Sequence, residues 1–199
     1  MRAIPDIITH NFDPDRGAFQ NLCALSDAEA QRLLDSISTS GSRKIKPSYL
    51  RRRRETEQWL LAERLRLFGP PRLKYPIYGF LGDFADGADP SRSASALLPL
   101  AAFDSDMLTF TIADSMTSRP LALLEELAIY RKPHHGRAFA LDDIRRHVER
   151  FGMPDATRCG APYADRFIEV QIWDDGPIQR LLREGAPVVR HGRPVDGTP

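Results

Sequence analysis

The chain changes its hydrophobic period at Gly69-Pro70-Pro71, and that change restricts it to folds that begin with helices and then turn to a sheet. Proline lacks an amide donor and fixes φ, so no helix continues through this point. Upstream, Ser26-Asp27-Ala28-Glu29 reads as a capping box opening a helix to about residue 37, with Ala30, Leu33, Leu34 and Ile37 as its apolar stripe. Residues 38–42 close it, and a second helix is expected over 49–67.

Downstream, 74–81, 94–102 and 108–112 are short apolar or alternating runs separated by Gly, Asp, Pro and Ser, the pattern of successive strands. In 108–112 the alternation points Leu108, Phe110 and Ile112 inward. Short helices are expected over 121–129 and over 141–151, the latter ended by Gly152 and Pro154. A strand at 167–173 and a helical turn over 177–183 follow, and the Gly-, Pro- and Arg-rich residues 185–199 are expected to form a mobile tail. Helices, strands, helices and a final strand make an α+β order, not a doubly wound one. With 199 residues, one domain over 1–184 buries about 70% of its unfolded surface.

Composition narrows the function. The formal charge of +1 gives no global pull towards nucleic acid or anionic membrane, although Arg51 to Arg54 form a local run of four. No stretch approaches a membrane-spanning length, and residues 1–11 carry no signal-peptide apolar region, so a cytoplasmic protein that binds no membrane is expected. Delivery to a target cell by a route without a readable signal stays open. Cys23 and Cys159 give neither a disulfide framework nor a zinc pattern, and the adjacent His134 and His135 lack metal spacing, so no metal is expected. There is no phosphate loop and no dinucleotide glycine fingerprint.

The strand at 167–173 places two polar groups in an otherwise apolar run. Alternation sends Ile168, Val170 and Ile172 to one face, which reads as core, and Phe167, Glu169, Gln171 and Trp173 to the other. That second face is either the solvated side of a half-buried antiparallel strand or the wall of a ring-binding cleft. Other residues carry similar double readings. Arg53 and Glu57 share a helix face as an ordinary surface ion pair, yet a guanidinium from Arg51 to Arg54 suits a diphosphate. The glycines in Pro76 to Asp83 stand where close backbone approach would be needed, or serve aromatic packing and a turn. Asp114-Ser115 fits a turn cap or a hydrogen bond to substrate, and His10 by itself reads as a structural histidine.

Four segments in order, Arg53 to Leu60 (Arg-x-x-x-Glu-x-Trp-Leu), Pro76 to Leu81 (Pro-x-Tyr-Gly-x-Leu), Thr109 to Ser115 (Thr-Phe-Thr-x-x-Asp-Ser) and Ile168 to Ile172 (Ile-Glu-x-Gln), resemble an uncharacterised bacterial family. Over residues 49–180 the arrangement is also similar to the ADP-ribosyltransferase superfamily. The resemblance implies a split, mostly antiparallel sheet with flanking helices, NAD as substrate, and Glu169 as the catalytic residue with Gln171 positioning it. It implies His10, Arg53, Arg54, Tyr78 and Ser115 as NAD contacts, with Phe167, Trp173 or Tyr78 stacking on nicotinamide. Gln171 follows the glutamate, whereas the arginine-modifying branch has its partner residue two positions before it. The implied protein is a bacterial toxin, effector or phage-defence component acting on a protein or nucleic-acid acceptor, with an antitoxin or immunity protein as partner. The competing expectation is a non-catalytic module that binds nucleic acid or an acidic protein through Arg51 to Arg54.

Overall fold

A computed structural model describes residues 3–39, 44–85, 92–154, 165–185 and 188–191. Six strands, β1 (Ile7–Phe12), β2 (Ile77–Leu81), β3 (Ala94–Pro99), β4 (Leu108–Ile112), β5 (Ile168–Ile172) and β6 (Val188–His191), form one sheet in the order β4-β5-β2-β1-β3-β6. Every pairing between them is antiparallel. The helices are α1 (Asp27–Thr39), α2 (Tyr49–Phe68), α3 (Ser115–Leu123), α4 (Leu141–Phe151) and α5 (Gly176–Arg183). The α+β class therefore holds, while the expected split in the sheet does not: the strands are continuous. A trace of it survives between β1 and β2, which pair only through Ile8 with Leu81 and Thr9 with Phe80, whereas β1 and β3 pair along six residues.

Alternation gives the sheet two different faces. Ile168, Val170 and Ile172 of β5 join Leu108, Phe110 and Ile112 of β4 in a core closed by Leu141, Ile144 and Val148 of α4 and Ile178 of α5. The opposite face carries Thr109 and Thr111 of β4, Glu169 and Gln171 of β5, and Tyr78 and Phe80 of β2, in register across the strands. Helices α2 and α3 cover it, through Arg53 over Tyr78 and Ser115 against Glu169. All five residues of β4 and of β5 are buried, so the solvated-strand reading is corrected.

Gly79 explains why β1 and β2 come so close. A Cβ there would stand 2.6 Å from Ile8 Cγ2 and 3.1 Å from the Thr9 carbonyl oxygen, so only glycine fits without displacement.

Local signals account for most boundaries. The Ser26–Glu29 box forms, with Glu29 Oε2 accepting from Ser26 N–H at 3.0 Å and from Ser26 Oγ at 2.6 Å. Helix α4 matches its expected span and ends at Gly152. Helix α3 departs from expectation, starting at Ser115, six residues before the predicted 121, because Asp114 accepts from Met116 N–H at 2.7 Å as its N-cap. Pro120 then removes the donor that Met116 C=O would receive, and Arg52 Nη2 donates to that carbonyl instead at 3.3 Å. Residues 125–130 form a 3-10 helix and not a continuation of the α-helix. Strand β6 pairs with β3 within the stretch expected to be a mobile tail. Residues 192–199 and Cys159 lie outside the described residues, and Cys23 is buried with a free thiol. No helix among the described residues is long and apolar enough to cross a membrane.

Candidate active site

Strand β5 lies between β4 and β2, and this position turns its two polar side chains into the centre of a buried hydrogen-bond chain. Trp173 Nε1 donates to Thr109 Oγ1 at 2.8 Å, and Thr109 donates to Gln171 Oε1 at 3.0 Å. Thus the Gln171 amide is oriented with its NH2 end towards Glu169, and it donates to Glu169 Oε1 at 2.9 Å and to Thr111 Oγ1 at 3.2 Å. Thr111 passes its own proton to the Ala113 carbonyl at 3.1 Å. The first amide of α3, Ser115 N–H, also donates to Glu169 Oε1, at 3.3 Å.

Burial pushes the Glu169 carboxyl up to about 7, helped by the nearby negative charge of Asp114 and opposed by Arg53, Ser115 and Gln171. Arg53 is the arginine of the run whose charge reaches this carboxylate. Its guanidinium lies 3.9 Å from the Tyr78 ring centroid and pairs with Glu57 Oε1 at 3.2 Å. Asn21 Nδ2 holds the same Glu57 oxygen at 2.9 Å and the Pro76 carbonyl at 2.7 Å. Burial raises Glu57 above the ordinary carboxylate range against the pull of Arg53. The Arg53–Glu57 pair is therefore interior, with side chains 14% and 1% exposed, and not the surface pair that its spacing suggested. Arg53 is thus ion-paired with one buried carboxylate, Glu57, and acts on the other, Glu169, through its charge. Ser115 Oγ is buried in the same region and has no hydrogen-bond partner among the described residues, while the buried Tyr78 hydroxyl lies beside Glu57 as its hydrogen-bonding neighbour.

Other expected contacts lie apart. His10 follows Ile8 by two residues and so belongs to the face opposite Glu169. Its Nδ1 donates to the Tyr78 carbonyl at 2.7 Å, its Nε2 accepts from Phe19 N–H at 2.8 Å, and its ring stacks on Phe19 at 4.7 Å. Burial lowers it to about 4, so it is a neutral clamp between β1 and β2 with both nitrogens engaged. Arg54 turns away to the Cys23 and Leu25 carbonyls and to Asp27, fixing the entry to α1. Arg51 pairs with Glu55 at 2.8 Å, so the four guanidiniums point to four different places and do not form one patch. Trp173 is buried as a donor to Thr109, and Phe167 packs edge-on against Phe80 at 4.7 Å. Trp173, 1% exposed, presents no free ring face of the kind expected for nicotinamide, while Phe167 is half-buried. Glu57, Asn21, Thr109 and Thr111 complete the network; the signal for the threonines was their alternation on β4, opposite the polar residues of β5.

A second polar cluster joins His134, His135 and Asp165, whose ligand atoms lie within 4.8 Å of one another. Its chemistry is that of a clamp. His135 Nδ1 accepts from Lys132 N–H at 3.1 Å, so Nε2 carries the proton and donates to Asp165 Oδ1 at 3.3 Å. Lys132 Nζ holds Asp165 Oδ2 at 2.6 Å. Comparisons with protein-family models, curated proteins and solved structures find no match.

Proposed function

We propose that the chain is an NAD-dependent ADP-ribosyltransferase with Glu169 as its catalytic carboxylate. The observation that carries this reading is the setting of Glu169. It is a carboxylate 7% exposed, gripped on one oxygen by a side-chain amide and a helix-end amide, and facing a guanidinium stacked on a tyrosine ring. Breaking the bond between the nicotinamide nitrogen and the ribose C1′ leaves the electron pair on nicotinamide and develops an oxocarbenium-like sugar. An ionised Glu169 stabilises that cation more strongly than it stabilises intact NAD, and this difference lowers the barrier. A carboxyl titrating near 7 also suits removal of the proton from an attacking acceptor.

Gln171 positions the carboxylate and is itself held by Thr109. Arg53 supplies the cation for the diphosphate, Ser115 Oγ supplies a buried hydroxyl with hydrogen-bonding capacity to spare, and Tyr78 is a further NAD contact. The residues present thus fit NAD as a substrate. The wider reading is a bacterial toxin, effector or phage-defence component acting on a protein or nucleic acid and restrained by an antitoxin or immunity protein.

The test is transfer of label from NAD, with protein, DNA and RNA acceptors offered in parallel to the wild type and to Glu169→Gln. Transfer to one acceptor class is expected, reduced at least about a hundredfold in the variant. Undiminished transfer by a folded Glu169→Gln protein would overturn the assignment. So would a wild type that neither binds, hydrolyses nor transfers from NAD.

A further inference from the structure

At the β4 edge of the sheet, the residues before α4 make a short bridge to the last strand: Phe139 and Phe110 exchange backbone hydrogen bonds of 2.9 and 3.0 Å. This bridge, the end of α2 and one side of α4 enclose a cleft of about 340 Å³ lined by Arg66, Arg137, Phe139, Arg146, Arg150 and Phe151. Its charge is lopsided, four arginines to the single carboxylate of Asp143 among the lining residues, in a chain whose overall formal charge is only +1. Arg146 is paired with Asp143 at 2.6 Å and Arg66 with Glu63 at 2.8 Å. Arg137 and Arg150 have no carboxylate partner among the described residues and lie instead against aromatic rings, 5.6 Å from the Phe139 centroid and 5.0 Å from the Phe151 centroid. Phe151, at the last position of α4, is 61% exposed.

We infer that this cleft binds single-stranded nucleic acid. Unpaired guanidiniums match backbone phosphates, and an exposed ring matches the face of an unstacked base. A duplex hides its base faces, and an acidic peptide offers charge without planes to stack, so neither uses both halves of the surface. The Arg51 to Arg54 run is a poorer candidate, because Arg52 and Arg54 are held on internal carbonyls and Arg53 lies inward beside Glu57, in the site proposed for NAD and not at the surface. The cleft stands one strand from β5, since β4 lies between them in the sheet. In so far as the bound strand is also the acceptor of ADP-ribose, the inference rests on the proposed transferase activity; binding itself does not.

The experiment is fluorescence anisotropy of labelled single-stranded DNA and RNA of about 12 nucleotides, long enough for one such site. The full-length Glu169→Gln protein is used, so that no transfer accompanies binding. The expected log–log dependence of affinity on salt has a slope of about −1.4 or steeper, from about 0.7 for each phosphate neutralised by Arg137 and Arg150. The double variant Arg137→Glu, Arg150→Glu should bind at least about tenfold more weakly. Phe151→Ala should lose several-fold affinity at an unchanged slope, and Arg51→Glu should bind like the parent. These positions are exposed or lie at the cleft surface, and unchanged thermal unfolding confirms that the variants are folded. Equal affinity in the double variant, insensitivity to salt, or tighter binding of poly-glutamate or duplex than of the single strand would each overturn the inference. Label transfer to protein alone by the wild type would sever the cleft from the acceptor role while leaving the assignment of Glu169 intact.

Discussion

Glu169 combines chemical readiness with a cost to folding. Its folded-state value of about 7 lies above the ordinary 4.5, so the folded chain holds a proton that the unfolded chain releases between those two values. Stability from this group is therefore fully present below about 4.5 and falls as pH rises through 7, by about 3 kcal/mol in all. Glutamine keeps an acceptor oxygen for the Ser115 and Gln171 donors but never ionises. Glu169→Gln is thus expected to match the wild type near the acid end of this range and to exceed it by about 3 kcal/mol at higher pH, read from urea midpoints across the series. His10 acts with the opposite sign, since its lowered value removes stability as pH falls from 6.5 towards 4; being present in both proteins, it cancels in the difference. Parallel pH profiles for the two proteins would show that Glu169 is not held protonated. Glu169 and Gln171 were legible in the sequence because polar residues inside a β-prone apolar run are costly to place without a use. Glu57 was not. An arginine and a glutamate four apart on a helix look the same whether the helix face meets water or a sheet, and only the docking of α2 over β2 decides which.

Among the elements, β1 and β2 make the shortest pairing of the interior strands, and Gly79 leaves room for it. A methyl group at 79 would meet Ile8 Cγ2, itself fully buried, and the Thr9 carbonyl, part of the backbone. Neither can yield without moving β1. Gly79→Ala is therefore expected to cost about 1–3 kcal/mol by overpacking, measured by thermal or urea unfolding; a neutral substitution would mean that this pairing has slack. Element boundaries were legible where a local signal marked both ends, as with the 141–151 helix and its Gly152 stop. They were not legible where a distant group made up a local deficit. Helix α3 contains Pro120, and Arg52, arriving from α2, takes up the Met116 carbonyl that the proline leaves without a donor.

For the whole molecule, the question is how a ligand reaches a carboxylate that is 7% exposed. The sheet consists of two longer-paired halves, β4-β5-β2 and β1-β3-β6, joined by two residue pairs, the Gly82 N–H to Ile7 carbonyl bond, the His10 clamp and the side chains of Thr9 and Asn11, which bond Gly82 and Phe84. Neither strand order nor the length of each pairing follows from alternation within single strands, so the single continuous sheet was not legible there. A junction with few cross-strand hydrogen bonds opens at lower free energy than the ladders beside it. Native-state hydrogen exchange should accordingly show amides of the β1–β2 pair exchanging through a local opening, while amides of the β4–β5 pair exchange only on global unfolding. If access to Glu169 runs through this junction, a non-hydrolysable NAD analogue should slow exchange at Thr9 and Phe80 more than at Thr109 or Gln171. Equal protection at both pairings would mean that the junction is as rigid as the rest of the sheet. Entry would then have to come from the α2 side, by displacement of Arg53 from the Tyr78 ring.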